Sequence, residues 1–153
     1  MEQTVDAWAA PPTIERMLDA DVERAVEIEL ASPETPTWNA QSMRDELARA
    51  WAHLWVVRDR DARVVAFAVT WIVADELHVL NVATDPVHRR RGLAHALLAH
   101  ARAFAFARGA VKIVLEVRRS NVAAIALYRR LGFREVETQL QLSRLDAPVG
   151  LGG

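Results

Sequence analysis

Three consecutive arginines and a glycine, Arg89-Arg90-Arg91-Gly92, stand where an apolar strand pattern gives way to a helical one. The first N–H groups of a helix have no partner within it, and the helix dipole adds about half a positive charge at that end. The arginines add full charges, and the glycine lets an anion approach the main chain. Together they describe a site for a phosphate-bearing ligand; taken alone, the same triplet is a solvated, basic helix start. Two later residues also stand out. Glu116 interrupts an otherwise apolar run, V-L-E-V, which is unusual for a carboxylate, and partial burial there would raise its pKa. Tyr128 is the sole tyrosine, seven positions after Asn121 and so on the same helical face. Their plainer readings are a solvent-facing strand residue for Glu116, a packing phenol for Tyr128 and a helix cap for Asn121.

Positioning these groups falls to a strand and a helix. Leu77 to Ala83 is almost continuously apolar, the pattern of a strand buried on both faces. Pro86 ends its pairing, having no N–H to donate. From Gly92 the period changes: Leu93, Leu97, Ala101 and Phe104 share one helical stripe, and Gly109 closes the helix. Upstream, Thr13 to Leu18 reads as a short strand, followed by a helix to Leu30 capped at Asp19 or Asp21. After a Pro-rich loop, a second helix lies within Trp38–Trp51, capped at Asn39 or Ser42. His53–Arg58, Val64–Val73 and the strand from Glu76 form an antiparallel meander with turns at Asp59–Ala62 and Ala74-Asp75. Val111–Val117 is the next strand, and the intervening helix makes it parallel to its predecessor. A helix capped at Ser120 or Asn121 then runs through Leu131 to Gly132, and Arg134–Leu145 forms one strand or two. The fold class is α/β, a mixed sheet with an antiparallel N-terminal meander and a parallel βαβ unit around the anion site. One domain is expected over 13–146, with a loose arm over 1–12 and a tail over 147–153.

These residues resemble a family. Arg89-Arg90-Arg91-Gly92-Leu93-Ala94 fits the [Q/R]-x-x-G-x-[G/A] acyl-CoA signature of the GNAT N-acetyltransferases. Asn81-Val82-Ala83-Thr84-Asp85-Pro86, together with L-E-V-R-R-S-N-V-A-A-I-A-L-Y-R-R-L-G-F over Leu115–Phe133, resembles the RimI-type subgroup, the ribosomal-protein-alanine N-acetyltransferases. The likeness runs from Leu77 to Phe133. It implies the GNAT fold, acetyl-CoA as cofactor and direct acetyl transfer to a primary amine within a ternary complex. By position, Val82, Ala83 and Thr84 would offer backbone groups to the pantetheine arm and thioester. Arg89, Arg90, Arg91, Gly92, Leu93, Ala94 and His95 would wrap the pyrophosphate, and Asn121 would contact the pantetheine. Glu116 matches the general base and Tyr128 the general acid. Trp38 is a candidate acceptor contact, with a packing role the alternative. After Phe133 the chain departs from the subgroup pattern, having no tyrosine-bearing loop there.

Composition bounds the rest. The chain has 153 residues, 52% of them hydrophobic, enough for one domain with a core. Its formal net charge of −1 argues against a general nucleic-acid binder. Absence of cysteine removes disulfides, thiolate metal sites and a cysteine nucleophile. The five histidines show no metal-ligand pattern beside carboxylates, so no metal is expected. Glu76 and His78 are auxiliary base candidates, ranked below Glu116. Without a signal-like N-terminus or an apolar run of membrane length, a cytoplasmic protein away from membranes is expected. A second subunit could complete the short C-terminal edge, which leaves a homodimer open. An α-amine has a pKa near ~7.7–8.0 and a lysine near ~10.4, so deprotonating lysine costs roughly 3–4 kcal/mol more. A single glutamate is better matched to a protein N-terminal α-amine. The alternatives are a small-molecule amine acetyltransferase and a non-catalytic acyl-CoA-binding domain.

Overall fold

Strand β3 (Val64–Val73) and its neighbour β2 (Ala52–Arg58) form the centre of the closed half of the sheet, and every residue of Val64–Thr70 is buried. A computed structural model describes residues 13–31, 38–115, 117, 120–136 and 139–143. The expected arm, the tail, most of the Pro-rich loop and the catalytic candidate Glu116 lie outside the described residues. The other strands are β1 (Thr13–Arg16), β4 (Glu76–Thr84), β5 (Lys112–Leu115), β6 (Arg134–Val136) and β7 (Gln139–Ser143). Four helices are described: α1 (Val22–Leu30), α2 (Ala40–Leu47), α3 (Leu93–Ala107) and α4 (Val122–Arg130). The sheet order is β1-β2-β3-β4-β5-β7-β6, with β4 and β5 parallel and the other pairs antiparallel. The mixed α/β sheet, the meander and the parallel βαβ unit are thus all present.

Strand alternation sorts side chains into two apolar layers. Trp55, Val57, Ala66 and Ala68 face α3, where Leu93, Leu97, Leu98, Ala101 and Ala105 are buried against them. Leu54, Val56, Phe67 and Val69 face the opposite layer, built with Val22, Ala25 and Ile28 of α1 and Met43 of α2. Burying a Leu or Phe side chain stabilises by roughly 1.5–3 kcal/mol, so these two layers hold the sheet between helices.

Local chemistry sets the ends of the elements. Asp59 Oδ1 accepts from the N–H of Asp61 at 2.8 Å and of Arg63 at 3.0 Å, while Ala62 takes φ +67°. Asn39 caps α2: Ser42 N–H donates to Asn39 Oδ1 at 2.8 Å, and Asn39 N–H donates to Ser42 Oγ at 2.9 Å. Asp21 behaves differently from a simple cap. It precedes α1 at the cap position, but its carboxylate turns back to accept from Leu18 N–H at 2.9 Å and from Arg58 Nη2 at 2.8 Å. The Arg58 and Leu18 hydrogen bonds outweigh burial and hold Asp21 below the usual carboxylate range. Beneath α3, Trp55 lies edge-on to His100 (4.5 Å between centroids) and Phe104 (4.9 Å), with His53 5.0 Å from Phe104.

Candidate acyl-CoA site

The site is built where β4 stops behaving as an interior strand. Its first half is paired on both sides, with Glu76–Val79 opposite Lys112–Leu115 of β5. The register against β3 then shifts: Val69 faces Asn81 and Thr70 faces Val79, so Leu80 is an inserted residue, a β-bulge. Pairing with β3 continues to Thr84. On the other side, no described residue pairs with Leu80–Thr84. The main-chain groups of Val82 and Thr84 point to that side, where no described residue pairs with them, while those of Ala83 bond Phe67 of β3, in step with Asp85 N–H donating to Val65 O. All of Leu80–Thr84 is half-buried, which corrects the reading of this strand as buried on both faces.

The chain leaves β4 through a turn led by Pro86 and enters α3 through two left-handed residues, Arg90 (φ +66°) and Gly92 (φ +78°). The first N–H of α3 to bond back is that of Ala96, to Gly92 O at 2.9 Å. The N–H groups of Leu93, Ala94 and His95 precede it and have no intrahelical acceptor. A side chain at Gly92 would meet nothing within 4 Å, so glycine serves the backbone conformation and not a tight fit within the protein. Arg89, Arg90 and Arg91 are exposed and form no ion pair among the described residues; Arg89 Nε donates to Thr84 O at 3.3 Å. Free N–H groups, three uncompensated cations and an unpaired strand edge together fit a nucleotide diphosphate with a pantetheine arm. The Leu93 side chain is buried in the core, which leaves only its main chain facing the helix start.

Helix α4 lies in the same apolar layer as α3 and contributes two of the expected residues. Asn121 is its cap, with Ala124 N–H donating to Asn121 Oδ1 at 3.2 Å, so the plainer reading of this residue holds for its oxygen. Tyr128 is 7% exposed and packs on Phe133 at 5.7 Å between centroids. Burial pushes the phenol up to about 12, so it stays protonated at any working pH. Trp38 is half-buried against the layer formed with α1 and α2. Glu76, one auxiliary base candidate, is bound by Lys112 at 3.2 Å and His78 at 2.8 Å; these two hydrogen bonds outweigh burial, lower its pKa and make it a poor base.

Sequence patterns missed one group of residues. Asn81 Nδ2 donates to Glu29 Oε1 at 2.8 Å, and Glu29 is 4% exposed on the last turn of α1. Arg24 Nη2 pairs with Asp85 Oδ2 at 3.1 Å, where His88 Nδ1 also lies at 3.1 Å. A polar Asn81 within an apolar strand was the available signal. Nothing in the run E-I-E-L separates buried Glu29 from exposed Glu27. Among the described residues there is no acid and histidine cluster that could hold a metal, and no helix long and apolar enough to cross a membrane.

A mixed sheet whose central strand opens beside a cationic helix start defines the class of acyl-CoA-dependent acyltransferases. Residues 22–133 match the model of the acetyltransferase (GNAT) family, and the chain belongs to that family. It is an acetyl-CoA-dependent N-acetyltransferase. The ribosomal protein bS18-alanine N-acetyltransferase of Salmonella typhimurium is 39% identical over 123 residues, 80% of this chain and 81% of that protein. The crystal structure of the ribosomal-protein-S18-alanine N-acetyltransferase from Escherichia coli superposes with a TM-score of 0.79 at 30% identity, covering 91% of this chain and 96% of that one. The PaiA N-acetyltransferase from Thermoplasma acidophilum, solved in complex with coenzyme A, shares the fold at a TM-score of 0.75 and 15% identity, covering 88% of this chain and 99% of that one.

Proposed function

We propose that the acceptor is the α-amine of a protein N-terminus, and that of a ribosomal protein in particular. The observation that carries this reading is the 39% identity, over four-fifths of both chains, to an enzyme named for acetylating the alanine of ribosomal protein bS18. The amine chemistry agrees. At neutral pH an α-amine is far easier to deprotonate than a lysine, by about 2.4–2.7 pKa units, and one carboxylate suffices as base.

In this reading each residue has a role. The outward main-chain groups of Val82 and Thr84, with Ala83 fixed between them by β3, hold the pantetheine and polarise the thioester carbonyl, stabilising the oxyanion as it develops. Arg89, Arg90 and Arg91, with the N–H groups of Gly92, Leu93, Ala94 and His95, hold the pyrophosphate. The Asn121 side chain contacts the pantetheine beside its cap. Glu116 takes a proton from the acceptor ammonium, and the Tyr128 phenol protonates the departing thiolate. Its high pKa keeps the proton in place until the thiolate forms. Trp38 lines the acceptor side. Binding both reactants together supplies proximity without a covalent enzyme intermediate. The domain spans 13–146, and the edge at β6 offers a second copy a place to pair.

The test is mass spectrometry of acetyl-CoA incubations with a peptide carrying the N-terminal sequence of ribosomal protein bS18, a peptide with a blocked N-terminus and a free lysine, and a polyamine. Acetylation of the first at a kcat/KM at least about 100-fold above the others is expected. Turnover of the polyamine alone would reject the protein acceptor while leaving the family chemistry intact.

A further inference from the structure

We propose that helix α1 clamps the open segment of β4 from the opposite face of the sheet, with Glu29 and Arg24 as positioning residues for the transfer. The proposal rests on the reading that Val82–Thr84 hold the thioester. Past Val79, β3 alone among the described residues pairs with the strand. A bulged strand paired on one side has freedom to slide or twist, and a displacement of about 1 Å at reacting groups costs on the order of 100-fold in rate.

Two side-chain bonds flank this segment, and both come from α1. At its start, Asn81 Nδ2 donates to Glu29 Oε1 at 2.8 Å, one residue after the inserted Leu80. At its end, the Asp85 carboxylate accepts from Arg24 Nη2 at 3.1 Å. Arg24 Nε also donates to Val64 O at 3.0 Å on β3, so one guanidinium ties the helix to both strands. His88 holds the same Asp85 oxygen at 3.1 Å and carries the restraint into the loop before the arginines. Asp85 N–H donates to Val65 O at 2.9 Å, fixing the exit from the strand. Glu29 and Arg24 are five residues apart on the helix, and their partners four apart on the strand, so the two bonds bracket Val82–Thr84.

Burial makes these bonds firm. Glu29 is 4% exposed, and the Arg24 and Asp85 side chains are 19% and 17% exposed. An unmatched polar group at such depth is costly, so each partner holds the other in place. The Glu29–Asn81 bond governs where the carbonyl sits, hence kcat. The Arg24–Asp85 bond governs the cofactor loop, hence the acetyl-CoA KM.

Steady-state kinetics of the full chain, with coenzyme A calorimetry and melting curves on every variant, test this. Glu29→Ala and Asn81→Ala are each expected to lower kcat about 10-fold or more, and the double variant to be no worse than the weaker single within about 2-fold, because they share one bond. Glu29→Gln keeps an acceptor oxygen for Asn81 and is expected to retain kcat within about 3-fold. Arg24→Leu is expected to raise the acetyl-CoA KM about 5-fold or more with kcat nearly unchanged. Losses that multiply in the double variant, or a Glu29→Gln as damaged as Glu29→Ala, would overturn the clamp by showing that Glu29 acts without Asn81. Wild-type protein that binds no coenzyme A would instead overturn the site reading, and the clamp with it.

Discussion

The two halves of the sheet solve opposite problems. From β1 to β3 each strand is paired with its sequence neighbour, and the apolar residues of β2 and of Val64–Val69 are buried. From Leu80 to Thr84, one edge of β4 has no partner among the described residues, and its residues are half-buried. Within the closed half, β2 and β3 gain stability from burial and from pairing on both sides. The open half keeps main-chain groups unpaired where a ligand can take them up. In the proposed site, binding would draw on a hydrogen-bonding deficit that the rest of the fold stabilises.

The largest expected effect separates the halves directly. Phe67 is fully buried in the closed half, and Phe67→Ala should cost about 3–5 kcal/mol in denaturant unfolding. The molecules that remain folded should keep a near-normal acetyl-CoA KM; a large KM change would mean that the halves are not separable. In the open half, Tyr128→Phe should lower kcat about 100-fold while shifting the melting temperature little, the lower end of an acid's contribution. A drop under about 10-fold would remove Tyr128 as the acid.

Two glycines sharpen the contrast. Gly92 (φ +78°) and Gly109 (φ +97°) stand at opposite ends of α3, and neither would clash through a Cβ. Substituting alanine at either should cost roughly 1–2 kcal/mol of backbone strain. Gly92→Ala alone should also raise the acetyl-CoA KM, by re-aiming the N–H groups that follow it. Equal KM effects at the two ends would place the pyrophosphate elsewhere.

The smallest effect concerns pH. Burial holds His53 and His100 below their ordinary 6.5, and the charges of Arg16 and Arg108 depress His53 further. The unfolded chain therefore binds these protons more readily than the folded one. Their stabilising contribution is complete above about 6.5 and is lost as pH falls through the folded values. Melting temperatures between pH 7.5 and 5 should decline, and a His53→Phe and His100→Phe double variant should flatten that slope. Tyr128 acts at the other extreme: its folded pKa of about 12, raised from 10.0, removes stability only as pH climbs through that interval.

Much of the closed half and the cofactor loop was legible in residue order. Apolar runs bounded by turn residues located β2 and β3, a cap at Asn39 or Ser42 placed the start of α2, and Arg89–Gly92 marked a cationic helix start. Asp21 shows where such reading fails. It has the right type and position for a cap, yet Arg58, 37 residues away, takes its carboxylate. Glu116, the residue with the strongest motif support as base, owes that standing to resemblance, because its place lies outside the described residues.

What the sequence by itself determined is local: which segments are helical or extended, where turns fall, and where positive charge meets a helix start. Periodicity and turn chemistry act over a few residues, and a single chain displays them openly. Tertiary structure alone decided the bulge at Leu80, the insertion of β7 between β5 and β6, and the bond from Glu29 to Asn81, 52 residues on. Those features depend on which edge remains unpaired, and which carboxylate is buried against it, once distant segments have packed. No local period records that competition.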